Sequence, residues 1–193
     1  INILPDEESE RKMYYLTNNI LRSNGYRKYE ISNYSKPGKE CKHNIGYWQR
    51  KEYLGFGIGA ASLYKENRYN NISDINKYIE VLTNNIKENS INNVGNSSEV
   101  ENQVNILNSI VKNLQQLTER DRMEEFMFLG LRMMEGVSME KFERYFGKPY
   151  MEVYGKVQKR MEDKRFLIND NGYVKLTEFG IDLSNYVMSE FLF

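Results

Sequence analysis

YEISNYSKPGKECKHNIGYWQRKEYLGFGIGAASLY, Tyr29 to Tyr64, holds the chain's one histidine (His43), one cysteine (Cys41) and one tryptophan (Trp48). It ends in LGFGIGAA, with glycine at every second position. In a strand, alternate side chains point to opposite faces, so Leu54, Phe56, Ile58 and Ala60 would look one way and Gly55, Gly57, Gly59 and Ala61 the other. One face would be apolar and the other nearly bare backbone. Glycine weakens a strand interior, so three in alternation call for a close approach by a ligand or by another backbone. Spacing alone leaves both a packing seam and a ligand floor open.

Working outward, Pro5 to Ser23 reads as a helix. Asp6, Glu7, Glu8 and Glu10 crowd its first turns, Arg22 sits in its last, and Met13, Leu16, Ile20 and Leu21 repeat at helical spacing as a buried stripe. Asn24-Gly25 supplies the stop, and Tyr26 to Ile31 reads as a strand. Ser32 to Lys39 is a loop, His43 to Glu52 a loop or short helix, Tyr53 to Tyr64 the glycine strand, and Ser73 to Thr83 a helix opened by Ser73 or Asp74. Residues 84–113 are rich in asparagine. The first half of that tract reads as a linker or insertion, whereas Val104, Leu107, Ile110 or Val111, Leu114 and Leu117 keep a helical period that predicts a helix from about Glu99 to Gln116.

From Thr118 the pattern is regular. Met123, Phe126, Met127, Gly130, Leu131 and Met134 follow a helical period with Phe128, Leu129 and Met133 on the other side, so this helix should be central to its domain. Ser138 caps a short helix that stops at Gly147, and a third helix spans Tyr150 to Lys164 on Val153, Val157 and Met161. Two short strands around Asn171-Gly172 predict a hairpin, and Thr177 caps a last helix with Phe179, Leu183, Tyr186, Val187 and Phe191 inward. Helices, hairpin and closing helix make a winged-helix-like order. Its third helix would be the one to enter a DNA groove, but there Lys156, Lys159, Arg160, Lys164 and Arg165 are interleaved with Glu152, Glu162 and Asp163. A structural or docking role fits that mixed face better than base reading.

Composition sets outer bounds. The chain has 193 residues, 40% hydrophobic and 28% charged, with Lys plus Arg equal to Asp plus Glu at 27 each, so no overall basic field draws it to nucleic acid or membrane. No apolar run approaches the roughly 18 residues of a membrane span, and one cysteine excludes an internal disulfide framework. A reducing, cytoplasmic setting is expected. The chain starts on Ile1 in mid-pattern and is expected to be a piece of a longer protein.

The succession YEISNYSKPG, HNIGYW, EYLGFGIGAAS, LTERDRMEEFMFLGLRMMEGVS, KFERYFG and VKLTEFGIDLSNYVMSEFL resembles the C-terminal half of the oxygen-independent coproporphyrinogen III oxidase-like radical SAM proteins. The HN-x-x-YW signature, here His43, Asn44, Tyr47 and Trp48, resembles that of their haem chaperone branch more than that of the decarboxylases. The resemblance implies an α+β fold: the terminal β/α units of a partial TIM-like barrel at 1–85, an Asn-rich linker with a possible helix at 86–116, and a helical, winged-helix-like C-terminal domain at 117–193. It also implies S-adenosylmethionine and a [4Fe-4S] cluster held by a CxxxCxxC triplet. Cluster ligation needs several thiolates, and Cys41 stands alone, so this chain by itself should be inactive in radical chemistry. Haem or a porphyrin is the implied ligand and haem-acceptor proteins are implied partners, with oxidative decarboxylation of coproporphyrinogen III as the alternative activity.

Two site expectations follow from the resemblance. His43 is a candidate axial ligand to haem iron, with Cys41 as rival and with Tyr47 and Trp48 as flat surface for the macrocycle. Gly55, Gly57 and Gly59 are candidates to lie against S-adenosylmethionine or the porphyrin. Lys42, Arg50, Lys51 and Arg68 are candidate partners for porphyrin carboxylates. A non-enzymatic winged-helix module that binds DNA or protein is the contrasting class. With barrel strands missing, Leu54, Phe56 and Ile58 should be partly uncovered.

Overall fold

The computed structural model describes residues 4–91 and 109–193, and side chains for 4–84 and 109–193. The architecture is α+β, helices with three small antiparallel sheets, and the chain divides into two compact units, 1–50 with 119–193, and 51–118.

The first unit is built on its C-terminal part. Helix α4 (Glu119–Gly130), strand β6 (Val137–Ser138), helices α5 (Met139–Phe146) and α6 (Tyr150–Asp163), strands β7 (Leu167–Asp170) and β8 (Tyr173–Leu176), and helices α7 (Glu178–Asp182) and α8 (Ser184–Ser189) follow in that order. Met127, Leu131, Phe142, Tyr150, Tyr154, Met161, Val174, Val187 and Phe191 form a closed core. The local signals worked as expected. The Ser138 hydroxyl accepts from the Lys141 amide at 3.2 Å, and Gly147 ends α5 in the left-handed region at φ 65°. Asn171 and Gly172, at φ 52° and 82°, make the two-residue hairpin turn whose twist suits β7 and β8. The sheet order is β6-β8-β7.

Four expectations in this unit are corrected. The central helix stops at Gly130, not Met134. A side chain at Gly130 would meet Val137 Cγ2 at 2.7 Å, and the chain turns there so that Met133 can bridge Glu30. The closing helix breaks at Leu183 into α7 and α8, which sends Val187 and Phe191 into the core but leaves Phe179, Leu183 and Tyr186 substantially exposed. Helix α1 (Glu7–Ser23) forms as expected, with Asp6 accepting from the Ser9 amide at 2.8 Å, yet it buries no residue and its stripe Met13, Leu16 and Ile20 faces solvent. A 3.6-residue period identifies an apolar face but not what covers it. The strand expected over 26–31 is reduced to β1 (Arg27–Lys28), paired with β2 (Tyr34–Ser35).

The second unit is a sheet of order β3-β4-β5, from Ala61–Tyr64, Asn67–Asn71 and Val111–Gln116, with helix α3 (Ile75–Ile91). Asp74 caps α3, its carboxylate accepting from the amides of Asn76 at 2.9 Å and Lys77 at 3.1 Å. Residues 111–116 are extended, not helical. Pairing with β4 satisfies their backbone groups and overrides the helical period of Leu114 and Leu117. Of the rest of that expected helix, 109–110 are helical and 99–108 lie outside the described residues. The glycine strand is also corrected: only Ala61–Tyr64 is strand, and residues 54–60 form a loop with Gly57 at φ 95° and Gly59 at φ 66°. An L side chain is strained at such angles, which is why glycine stands there.

Candidate functional site

Helix α2 (Lys42–Trp48) carries the HN-x-x-YW signature, and its turn divides that signature between two faces. Residues four apart share a face. His43 and Tyr47 lie outward, both exposed, with the imidazole edge-on to the phenol ring at 4.7 Å between centroids and 79° between planes. Asn44 and Trp48 lie inward. The Asn44 amide donates to the Tyr29 hydroxyl at 3.2 Å, and the Arg132 guanidinium covers the Trp48 ring at 4.2 Å from its centroid. Tyr47 and Trp48 therefore do not form one flat apolar surface. Trp48 supports the helix, and its buried indole N–H has no acceptor among the described residues.

The inward face rests on charge. Glu30 is fully buried; one carboxylate oxygen accepts from the Ser32 amide at 2.9 Å and the Asn33 side chain at 2.6 Å, while the other lies 3.4 Å from Arg132 Nη2. The backbones join here too, Ile31 N–H to Arg132 O at 3.0 Å and Met134 N–H to Tyr29 O at 3.1 Å. Just past α2, Arg50 turns back at φ 56° and donates to Glu125 of α4 at 2.7 Å and to the Tyr145 hydroxyl at 3.2 Å. The side chains of that pair are 5% and 6% exposed. A buried pair of this kind fixes a geometry, because either charge alone would be costly. Arg50 is thereby committed to Glu125 and is not a partner for a porphyrin carboxylate. Lys42 is exposed beside His43, whereas Lys51 and Arg68 belong to the other unit.

Sequence reasoning missed Glu30, Arg132 and Glu125. The available signal was a charge inside an apolar run: Arg132 between Leu131 and Met133, and Glu125 on a helix read as apolar nearly all round. A charge in such a place is tolerated only when paired.

In the second unit the glycine loop is held from within. Asn71, nearly buried, donates through its amide to Gly55 O at 3.1 Å and Gly57 O at 2.8 Å. The Gly55 amide donates to Ser62 Oγ at 3.0 Å and the Gly57 amide to Tyr78 Oη at 3.3 Å. The three glycines differ. A side chain at Gly55 would strike Ala61 O at 2.2 Å, a backbone seam, whereas nothing lies within 4 Å of such an atom at Gly57 or Gly59. Leu54, Phe56 and Ile58 are exposed, as expected, Phe56 at 87%.

Among the described residues no group of three His, Cys, Asp or Glu could hold a metal ion. With one cysteine in the sequence, the residues present do not fit a [4Fe-4S] cluster. They do fit a single axial donor to haem: an exposed imidazole on an anchored helix. Cys41, also exposed, is the residue before that helix and makes no side-chain cap.

Residues 117–183 match the family described as HemN C-terminal domain. The chain is 35% identical over 189 residues to the haem chaperone HemW of Lactococcus lactis, and 30% identical over 189 residues to that of Bacillus subtilis, in each case 98% of this chain and 44% of the relative. It therefore spans less than half the length of these relatives. The solved structure of coproporphyrinogen III oxidase (HemN) from Escherichia coli superimposes with a TM-score of 0.67 over 97% of this chain and 42% of that one, at 14% identity, which establishes a common fold. Over nearly its whole length the chain is therefore HemW-like, with a HemN-type C-terminal domain at 117–183. Among the described residues no helix is long and apolar enough to cross a membrane.

Proposed function

We propose that this chain is the haem-presenting part of a cytoplasmic HemW-like haem chaperone, with His43 as the axial ligand to haem iron. The observation that carries the reading is the division of α2. The donor and its aromatic neighbour Tyr47 face outward, and the residues that share the signature with them, Asn44 and Trp48, anchor the helix inward. Neutral imidazole suits iron, and an exposed one on an anchored helix can exchange its ligand with an acceptor protein. Bound iron would supply the coordination site; Tyr47 would pack at the macrocycle edge, and Arg132 with Glu30 would hold the presenting helix still.

In the same reading, 1–85 is the closing portion of a partial TIM-like barrel and 117–193 a winged-helix-like cover, whereas 111–116, expected as linker, are strand β5. The order α4, β6, α5, α6, β7, β8 supports the last description. S-adenosylmethionine and the [4Fe-4S] cluster belong to the whole protein, whose cluster-ligating cysteines lie outside this chain. The open space at Gly57 and Gly59 supports a ligand floor there, while Gly55 serves packing. Against the DNA-binding alternative, cations of α6 and its C-cap are engaged: Lys159 with Asp163, Arg160 with Glu190, and Lys164 with the Tyr186 hydroxyl.

A haemin titration of the chain followed in the Soret band tests the reading. A ligation shift is expected, and His43→Ala should remove it. A chain that gives no shift overturns haem ligation by this part, and a full shift in His43→Ala overturns His43 in favour of donors such as Cys41.

A further inference from the structure

Helix α1 is oriented against expectation. Its apolar stripe faces solvent, and the opposite face, Tyr14, Tyr15, Asn18, Asn19 and Arg22, lines a cleft of about 1100 Å³ within the first unit. The turn and strand after α1 add Tyr26, Arg27 and Lys28 to the same wall, and β8 and α7 make another wall with Leu176, Glu178, Ile181 and Asp182. A helix that turns polar and aromatic side chains toward its own protein is building a recessed surface rather than a core.

The chemistry of the cleft is uneven. Lys28 is engaged, its ammonium 4.5 Å from the centroid of the Tyr14 ring and hydrogen-bonded to that hydroxyl. Asp182 is engaged too, accepting from the Tyr15 hydroxyl at 2.6 Å. Arg22 and Arg27 are not: neither is in an ion pair with a described residue. Two planar guanidinium groups in a cleft also lined by tyrosines suit carboxylates attached to a flat aromatic body. The acids, Glu178 and Asp182, keep such carboxylates on the α1 side, while Leu176 and Ile181, with Met134 and Pro37, offer apolar surface to the ring. No histidine or cysteine lines the cleft. The hydrogen bond to Asp182 also holds the Tyr15 phenol above its ordinary range.

We propose that this cleft binds a flat aromatic dianion of the porphyrin dicarboxylate class, through ring contacts and the guanidinium groups of Arg22 and Arg27, without a bond to iron. The inference rests on the haem-handling reading for its ligand class but on different residues, so the two can fail separately. The cleft would hold a macrocycle by its carboxylates while its metal remains free for another donor.

The probe is iron-free protoporphyrin IX, titrated against the 193-residue chain by its fluorescence. Binding is expected, weakened at least tenfold by Arg22→Ala with Arg27→Ala and unchanged by His43→Ala. Asn19→Trp, which fills the cleft from α1 and leaves both arginines in place, should weaken it as well. Esterifying the porphyrin carboxylates should cost about as much as removing the arginines. The proposal is overturned if the parent chain does not bind the iron-free porphyrin, or if binding survives both the double substitution and Asn19→Trp. A haemin shift that disappears in His43→Ala while porphyrin binding is retained supports both sites, whereas loss of porphyrin binding in His43→Ala refutes the separate cleft.

Discussion

Helix α2 and the glycine loop at 54–60 both put side chains into solvent, and they are secured by opposite means. The helix is regular in its own backbone and owes its place to charges from distant parts of the chain, Glu125 and Arg132, about 80 residues away. The loop has no regular backbone and is secured locally, by Asn71, Ser62 and Tyr78 and by two glycines in the left-handed region. Presentation on buried ion pairs is all-or-none, because removing one partner strands the other. A loop tied by several neutral hydrogen bonds should lose its shape in steps.

That contrast can be broken by measurement. The largest effect is expected from Glu125→Ala, which leaves the Arg50 guanidinium buried with the Tyr145 hydroxyl and without its carboxylate; a loss of about 3–5 kcal/mol in urea unfolding is expected. Replacing both partners, Arg50→Met with Glu125→Leu, should recover most of it, and a double replacement as damaging as the single would refute the stranded-charge account. Next comes Asn71→Ala, which takes the side-chain donor from the Gly55 carbonyl and leaves the Gly57 carbonyl only the Ala60 amide at 3.4 Å, at a nearly buried site, and should cost about 1–3 kcal/mol. Amide exchange at Gly57 and Gly59 should speed up in that variant while exchange in α2 does not.

Gly57→Ala should cost about 1–2 kcal/mol, from the positive φ alone, since the space around it is open. A cost well above that range would mean that the loop packs more tightly than its geometry indicates. The smallest effect belongs to the hairpin. Lys175, by hydrogen bond and charge, holds the Asp170 carboxyl below its ordinary 3.8, so this pair's contribution is complete above that value and is lost as the pH falls below it. Lys175→Met should flatten the acid limb of the stability curve slightly and leave its neutral plateau nearly unchanged.

How much was legible follows from the range of each signal. The Ser138 cap, the Gly147 stop, the Asn171-Gly172 turn and the Asp74 cap are each decided within four residues, and each formed where expected. The core of 119–193 was legible as well, since Met127, Met161 and Val187 were picked out by period alone. The glycine repeat was misread as a strand because alternation alone does not separate a strand from a loop that needs glycine for its positive φ angles. Residues 111–116 were misread because Leu114 fits a helical period that pairing with β4 overrides. In the signature, the residue types were visible but their division into an outward and an inward pair was not, for it required the helix to be settled first.

The sequence by itself determined the likeness to the HemW proteins, the α+β class, the caps and turns, and the chemistry available, one imidazole, one thiol and no cluster ligands, because these depend on residue identity and short spacing. Only the tertiary structure decided that Arg50 is used up by Glu125, that Trp48 is roofed by Arg132, and that α1 turns its tyrosines and arginine toward a cleft. The physical reason is that the balance between desolvating a charge and pairing it depends on which distant group arrives within about 3 Å, and chain spacing carries no record of that distance.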